Sequence, residues 1–370
     1  MFRYPLTPDT ELCLLEPRYA ADVYALVDRN REHLGRWLSW VDGRRSADDL
    51  AQYIKQALYR FAEDGSPYCG IWHQGTLAGT IDLMGTGGRH RCAEIGYWLD
   101  AAHEGKGLVT LACRALVDHA FNGLNVNRVE IRTEPANTRS CAVAQRLGFT
   151  EEGTLRQVIK LGTCYTDRTV YAMLRDEWPN QGTKITFAYP LAPDAEIRLL
   201  QPCDAETLYA LADANRERLR PYMSWIDGTT EVAHINGFIR HATQRMADQT
   251  EYHWGIWYQG QIAGVVGTLP INWPSLKVEF GYWLGEQFQG KGLMTMACRT
   301  LLAFLFNDLD LNRAEIRLNA INAPSRAVAK RLGFTYECTQ RQANWSEGKP
   351  ADIECYALLR EEWEAQQCQA

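Results

Sequence analysis

Slid along itself, the chain matches at one offset. Gly96-Tyr97-Trp98-Leu99 recurs as Gly281-Tyr282-Trp283-Leu284, 185 residues later. At that offset Gly105-Lys106-Gly107-Leu108 meets Gly290-Lys291-Gly292-Leu293, and Asn127-Arg128 meets Asn312-Arg313. Arg146-Leu147-Gly148-Phe149 likewise falls on Arg331-Leu332-Gly333-Phe334, and Ser39-Trp40 on Ser224-Trp225. No insertion separates these landmarks. A period this long is a duplicated domain, since solenoid repeats run to only about 20–50 residues. Each unit is large enough to enclose its own core. The expected domains are 1–180 and 186–370, with the polar, turn-prone Pro179-Asn180-Gln181-Gly182-Thr183 between them.

Charge narrows the partners. The 370 residues carry a formal net charge of −6, which argues against a broad phosphate-backbone footprint for nucleic acid and favours a cationic partner such as an amine. No stretch approaches about 18 uninterrupted apolar residues, so no membrane-spanning helix is expected. Met1-Phe2-Arg3-Tyr4-Pro5 lacks the apolar run of a signal peptide. The 11 cysteines form no Cys-x-x-Cys pair, and only Cys113 and Cys298 match at the repeat offset. Reduced, mostly buried thiols in a cytoplasmic protein are the expectation. The 8 histidines show no ligand spacing, and no metal is expected.

Within the first unit, Glu11–Leu15 reads as a strand and Tyr19–Leu34 as a helical stretch. Ser46 with Asp49 resembles a capping signal before Leu50, Ile54, Ala57 and Phe61 at helical spacing. Cys69–Trp72 and Leu77–Leu83 form a hairpin, and Glu94–Leu99 is a central strand. Val109–Phe121 is a helix, Val129–Thr133 a strand, Arg139–Leu147 a short helix, and two strands near Leu155–Leu161 and Thr169–Leu174 close the unit. The predicted order is β-α-α-β-β-β-α-β-α-β-β, repeated from about Glu196 to Leu359.

A strand that feeds a glycine-rich loop opening a helix makes an anion site, because glycine lets backbone N–H groups approach a phosphate and the helix dipole assists. The loops are Ala102-His103-Glu104-Gly105-Lys106-Gly107 and Gln287-Phe288-Gln289-Gly290-Lys291-Gly292. Taken alone, Gly-x-Gly also describes a tight turn. It is neither a Walker loop nor a dinucleotide fingerprint.

The ordered set Gly-Tyr-Trp-Leu, Gly-Lys-Gly-Leu-x-Thr, Asn-Arg-x-Glu-Ile-Arg, Asn-x-x-Ser and Arg-Leu-Gly-Phe resembles the GNAT superfamily of acetyl-CoA-dependent N-acetyltransferases. Within it, the set is similar to the branch that acetylates ribosomal-protein N-termini. The resemblance covers nearly all of each unit. It implies an α/β (α+β) fold: two tandem domains, each a mixed, mostly antiparallel sheet with splayed central strands flanked by helices. Acetyl-CoA would lie between Glu94–Leu99 and Val129–Thr133, and between Glu279–Leu284 and Ala314–Leu318. Its pyrophosphate would sit on His103, Glu104, Gly105, Lys106, Gly107 and Leu108, and on Phe288, Gln289, Gly290, Lys291, Gly292 and Leu293 after Gln287. Ala102 stands where many relatives carry Gln or Arg, which weakens the first cradle. Lys106 and Lys291 either touch phosphate or face solvent. Asn137 and Asn322 would help hold the pantetheine arm.

The resemblance also implies roles in acyl transfer, which needs a base for the amine and an acid for the departing thiolate. Ser140 and Ser325 fall where ribosomal-type relatives place a serine near the sulfur; capping of a helix by these Asn and Ser residues is the alternative. Glu94 and Glu279 are the candidate bases, or else paired strand residues. The strand glutamate frequent in such relatives is replaced by Ile159 and Asn344. For the acceptor, Trp40 with Asp42 and Trp225 with Asp227 suit an ammonium group by cation–π and charge attraction. Trp37 is read as core, and Tyr97, Trp98, Tyr282 and Trp283 as strand packing. The expected activity is acetyl transfer to a primary amine, either a protein N-terminus or a small amino compound, by direct attack in a ternary complex. A detoxifying enzyme with one active and one structural unit, and a non-catalytic coenzyme-A-binding regulator, are the alternatives. The units are expected to form an internal pseudo-dimer within a monomeric chain.

Overall fold

The computed structural model describes residues 2–179, 182, 184–346 and 348–367. The chain divides into two compact units, one spanning Phe2–Phe187 and the other starting at Ala188. Asn180, Gln181 and Thr183 of the expected connection lie outside the described residues. Thr186 and Phe187, expected to open the second domain, belong to the first. Phe187 is buried there with its ring 6.1 Å from Phe61, and the Ile185 N–H donates to His119 Nδ1 at 3.2 Å.

The N-terminal unit runs β1 (Arg3–Thr7), β2 (Thr10–Leu14), α1 (Ala20–Arg29), α2 (Arg31–Gly35), α3 (Ala47–Asp64), β3 (Tyr68–His73), β4 (Thr76–Met84), β5 (Cys92–Leu99), α4 (Leu108–Asp118), β6 (Arg128–Thr133), α5 (Thr138–Arg146), β7 (Thr150–Leu161) and β8 (Cys164–Leu174). Its strands lie in the order β1-β2-β3-β4-β5-β6-β8-β7. Every pair is antiparallel except β5 with β6.

The C-terminal unit repeats the plan: β9 (Ala188–Ala192), β10 (Ala195–Leu199), α6 (Ala205–Ala214), α7 (Arg216–Leu219), α8 (Val232–Ala247), β11 (His253–Tyr258), β12 (Gln261–Thr268), β13 (Lys277–Leu284), α9 (Leu293–Ala303), β14 (Arg313–Asn319), α10 (Ala323–Arg331), β15 (Thr335–Ser346), β16 (Lys349–Leu359) and α11 (Arg360–Gln367). Here only β13 and β14 pair in parallel.

One face of the first sheet is closed by α1 and α3. Val23, Leu26, Val27, Leu50, Ile54 and Ala57 recur at helical spacing and pack with Leu15, Tyr68 and Trp98. The start of α3 is fixed by a capping box in which Ser46 accepts from the Asp49 N–H at 3.3 Å and Asp49 accepts from the Ser46 N–H at 3.0 Å. Gly65, at φ +76°, ends it in the left-handed conformation that favours glycine. Ile54 is fully buried, so truncating it to Ala costs about 2–5 kcal/mol.

The parallel pairs position the site. Between β5 and β6 the ladder covers Cys92↔Arg128, Ala93↔Val129 and Glu94↔Glu130 and then stops. In the second unit it covers Lys277↔Arg313, Val278↔Ala314 and Glu279↔Glu315. Beyond each glutamate the strands diverge, although β5 stays in unbroken register with β4 as far as Leu99↔Gly79. A wedge-shaped opening therefore begins at Glu94 and at Glu279.

Several expectations need correction. A first strand, Arg3–Thr7, precedes the expected one; Pro5 masks it in the sequence, yet the strand pairs with β2 across a register shift near that proline. The stretch Tyr19–Leu34 is two helices because Asn30 leaves helical geometry at φ −109°. The closing strands are longer than expected and β7 is exposed along nearly all of its length, so alternation gave no signal. Of the ten described cysteines only five are buried. After Leu359 the chain adds α11, seated by buried Trp363 at 5.9 Å from Phe306.

Candidate active site

After β5 the chain makes a short 3-10 turn, Ala101–His103, and then the glycine loop. Gly105 and Gly107 adopt φ +77°, and Gly290 and Gly292 φ +74° and +75°. A β-carbon added at any of the four would meet nothing within 4 Å. These glycines thus turn the backbone left-handed along an open face. Gly107 and Gly292 are the N-caps of α4 and α9, whose first-turn N–H groups have no intrahelical acceptor.

The bend at Asn30 serves this loop. The buried Asn30 side chain donates to the Leu26 carbonyl at 2.8 Å and accepts from the Ala101 N–H at 3.1 Å. Asn215 does the same between Leu211 and Glu286, at 2.9 and 2.9 Å. A helix end is thereby tied to the first residues after the central strand, in both units.

The loops differ in their side chains. His103 Nδ1 lies 3.3 Å from Asp100 Oδ2, whereas Phe288 is buried against Tyr258 at 6.5 Å. Glu104 would oppose an anion, but it is paired with Arg139 and lies 3.1 Å from His33. Gln289 is neutral at that position. Gln287, Lys106 and Lys291 are exposed, and the Lys291 ammonium lies 5.4 Å from the centre of the Tyr258 ring. Leu108 and Leu293 are buried and anchor the helices.

Pleating sends Glu94, Gly96 and Trp98 to one face of β5 and Ile95, Tyr97 and Leu99 to the other. On the Tyr97 face, its hydroxyl lies 2.8 Å from Ser140 Oγ; Tyr282 and Ser325 repeat this at 2.9 Å. Burial pushes both tyrosines well above the usual phenol range. The serines do not cap their helices. Asn137 and Asn322 do, each accepting from the serine N–H three residues on, at 3.2 and 3.1 Å. Tyr97 and Tyr282, read as strand packing, are thus hydrogen-bonded to the candidate serines. Both members of each pair repeat at the 185-residue offset, which was the available signal.

On the opposite face, Glu94 lies 3.7 Å from Arg132, and Glu279 lies 3.6 Å from Arg317. Arg132 is itself held by Glu130 at 2.7 Å, and Glu130 by Arg128 at 2.7 Å. Burial, the larger influence, raises the pKa of Glu94 and Glu279 above the ordinary carboxylate value, against the pull of the arginines. Trp98 and Trp283 share this face and carry the acceptor loops. The Trp40 ring lies 6.3 Å from Trp98, and the Trp225 ring 5.9 Å from Trp283.

Arginines that the sequence reading missed staple those loops. Arg31 donates to the carbonyls of Val41 and Arg44 at 2.8 and 3.0 Å, and Arg216 to those of Ile226 and Thr229. Trp40 packs on the core cluster, while Trp37, expected there, is half-buried and lends its carbonyl to Arg168 at 3.3 Å. Asp42 is exposed, and no cation is paired with it among the described residues. Asp227 is held by Arg220 at 2.9 Å. Among the described residues, no group of His, Cys, Asp or Glu could hold a metal ion, and no helix is long and apolar enough to cross a membrane.

A family profile described as "Acetyltransferase (GNAT) domain" matches the chain twice, over residues 11–150 and 195–335. The chain belongs to the GNAT acetyltransferase family. Among curated relatives, "Putative ribosomal N-acetyltransferase YdaF" of Bacillus subtilis (strain 168) is 35% identical over 182 residues, 49% of this chain and 100% of that protein. The "Ribosomal-protein-serine acetyltransferase" of Escherichia coli (strain K12) is 29% identical over 166 residues, 45% of this chain and 93% of that one. A solved ribosomal L7/L12 alpha-N-protein acetyltransferase in complex with coenzyme A aligns at 25% identity and a TM-score of 0.46, covering 47% of this chain and 99% of its own. Each relative is the size of one unit, so the chain holds two GNAT domains in tandem and is an acetyl-CoA-dependent N-acetyltransferase.

The residues present fit the cosubstrate. Open left-handed glycines and free first-turn amides suit its pyrophosphate, and the edge of β5 beyond Glu94, left without a partner by β6, suits the amide-bearing pantetheine arm.

Proposed function

We propose that each GNAT unit transfers the acetyl group directly to a primary amine in a ternary complex. The cosubstrate supplies an acetyl thioester activated toward amine attack. The amine enters on the face of β5 that carries Glu94 and Trp40, or Glu279 and Trp225. Glu94 and Glu279 draw the proton from the incoming ammonium; their raised pKa brings them closer to working pH, as suits a base. On the other face Tyr97 with Ser140, and Tyr282 with Ser325, deliver a proton to the departing sulfur. One observation carries the reading: both wedges open just after the glutamate, with the carboxylate on one face and the hydroxyl pair on the other.

The acceptor is a protein N-terminus or a small amine, in line with the names of the relatives. Unpaired Asp42 beside Trp40 gives the N-terminal unit a stronger attraction for a multiply charged amine than the neutralised Asp227 gives the other. Mass spectrometry of an amine and peptide panel, with the parent chain and with Glu94→Gln and Glu279→Gln, tests this. Each variant should lose one share of the acceptor spectrum. Turnover that survives the double variant Glu94→Gln/Glu279→Gln removes the glutamates from the mechanism.

A further inference from the structure

The last two strands of the C-terminal unit bring two thiols face to face. Cys338 of β15 and Cys355 of β16 are direct partners in the antiparallel register. Opposite residues of such a ladder lie about 4.5 or 5.5 Å apart between Cα atoms, and both values fall within the range of about 4.4–6.8 Å that a disulfide spans. The two side chains share one face of the sheet, because directly opposed residues point the same way. The register shifts between Tyr336 and Cys338, which leaves Glu337 as an extra residue. A ladder loosened by such a bulge can give by the small amount that a new bond needs. Both thiols are free, with Cys338 exposed and Cys355 half-buried.

Packing does not ask for this pair. At the same offset the N-terminal unit has Gly153 and Val170, themselves register partners. The surroundings differ as well. Arg317 of β14 stands directly opposite Cys355, and Glu279 of β13 opposite Glu315, two residues before Arg317. Glu279, Arg317, Cys355 and Cys338 therefore lie on one face of the sheet, the face that also carries Trp283. In the N-terminal unit Arg132 is held by Glu130 at 2.7 Å. Its counterpart Arg317 is held from the closing hairpin instead: it donates to Gln340 Oε1 at 2.7 Å and lies against the Cys355 sulfur. The same guanidinium lies 3.6 Å from Glu279. A change at the thiols thus reaches the candidate base through one side chain.

We propose that Cys338 and Cys355 are a redox switch of the C-terminal unit alone: a peroxide joins them in a disulfide, which takes the Cys355 sulfur from Arg317, the partner of Glu279. The effect on turnover rests on the proposed role of Glu279, whereas formation of the bond does not. The exposed Cys338 thiolate attacks one peroxide oxygen and the O–O bond breaks. The other oxygen leaves as hydroxide, takes up the proton that the thiol lost and becomes water, and Cys338 is left as a sulfenic acid. Cys355 then attacks that sulfur; the S–S bond forms, the S–O bond breaks, and the hydroxyl departs as water with the Cys355 proton. Two thiols are oxidised and one peroxide is reduced to two waters. Burial, the larger influence, and the neighbouring Cys338 hold the Cys355 thiol above its ordinary pKa, which leaves the first attack to Cys338. A disulfide sulfur carries neither proton nor negative charge with which to hold Arg317. The guanidinium then turns more fully to Glu279, and a carboxylate held by a cation is a weaker base.

The test uses the full chain carrying Glu94→Gln, so that the remaining turnover belongs to Glu279, with Glu94→Gln/Glu279→Gln as the blank. The chain is treated with hydrogen peroxide at high dilution, which suppresses links between chains, then alkylated and mapped by mass spectrometry. The peptides of Cys338 and Cys355 should be found joined, with two fewer free thiols per chain. On the same sample kcat should fall severalfold while the KM for acetyl-CoA, set by the cradle after Leu284, stays constant; dithiothreitol should reopen the bond and restore kcat. Cys338→Ser should keep the kcat of the reduced chain and lose the response to peroxide. Cys355→Val, which copies Val170 and withdraws the sulfur from Arg317, should hold kcat at the oxidised level in either redox state. Both thiols still open to alkylation after peroxide overturn the proposal. So does a disulfide that leaves kcat unmoved, or a loss of kcat that Cys338→Ser shares. A reduced Glu94→Gln chain no more active than the blank refutes the role of Glu279 and with it the effect on turnover, and the mapping decides the disulfide separately.

Discussion

Changing Tyr97 and Tyr282 together to Phe removes one oxygen from each unit and leaves both rings in place. The oxygens lie 2.8 and 2.9 Å from Ser140 and Ser325. A hydrogen bond of this kind contributes about 0.5–1.5 kcal/mol net, and for a unit of this size each kcal/mol moves the thermal midpoint by about 2–4 °C. The packing role of the rings therefore predicts a small thermal shift and full turnover. The proton-delivery role predicts the same shift with kcat lowered about 10²–10⁴-fold and the KM for acetyl-CoA nearly constant. The control is Asn137→Ala/Asn322→Ala, which removes the true caps of α5 and α10. It costs about 1 kcal/mol per unit and should lower the midpoint comparably and, through the pantetheine contact expected of these residues, raise the KM for acetyl-CoA while sparing kcat. Initial rates of thiol release and differential scanning on the same preparations decide the matter. An undiminished kcat in Tyr97→Phe/Tyr282→Phe would falsify the relay. A kcat loss equalled by the cap variant would assign the effect to a displaced helix.

Gly290→Val forces a β-branched residue to φ +74°, costing about 1–2 kcal/mol, and its side chain enters the open face of the cradle; calorimetry should then count half as many acetyl-CoA sites as in the parent. Arg132→Gln/Arg317→Gln removes the cations that lower the Glu94 and Glu279 pKa values, so the acid limb of kcat/KM should move to higher pH, and an unmoved limb refutes the pairing. Burial lowers His119 to about pKa 4, so between about 6.5 and 4 the unfolded chain binds a proton that the folded unit refuses. That contribution, about 3 kcal/mol, is complete above pH 6.5 and is lost as pH falls toward 4; His119→Gln should flatten the denaturation midpoint over that window.

The repeat, the glycine loops and most of the succession of elements were legible because each rests on local pattern: period, φ-specific residues and alternation. The opening after Glu94 was legible only through family resemblance. Nothing in Glu94–Leu99 announces that its ladder with β6 ends after three residues, because pairing is a property of two segments distant in sequence. Tyr97 illustrates the same limit. Alternation assigns it a face, but the residue it meets there, Ser140, is 43 positions away. Asn30 and Arg31 were hidden for another reason. A polar residue inside an apolar helical pattern looks like its solvent side until its bonds to Leu26, Ala101 and Val41 are seen. Their recurrence as Asn215 and Arg216 was visible from the start.

Comparing the copies separates what the chemistry demands from what it tolerates. Acid–base partners away from the wedge have been exchanged freely. Asp82, raised by burial to about pKa 6, is paired with Arg60 in the first unit. In the second, glycine stands at the position of Asp82 and Arg245 takes Glu251 instead. Glu134 with Arg168 gives way to Asn319 with Ile353, while Arg326 gains Glu354 at 2.8 Å. In each case the charges stay matched, either because the arginine finds another acid or because both partners come or go together, as expected when an unmatched buried charge is costly. The wedge has not drifted in this way. Glutamate, arginine, tyrosine, serine and the two left-handed glycines stand at both sites with distances that agree to about 0.1 Å. Left-handed glycines facing open space stabilise no packing, and a buried tyrosine hydroxyl needs only some partner, not this one. A copy retained as scaffold would have been as free to trade these groups as it was to trade Asp82. That contrast supports the proposal of two working sites with different rims, Asp42 open in one and Asp227 closed by Arg220 in the other.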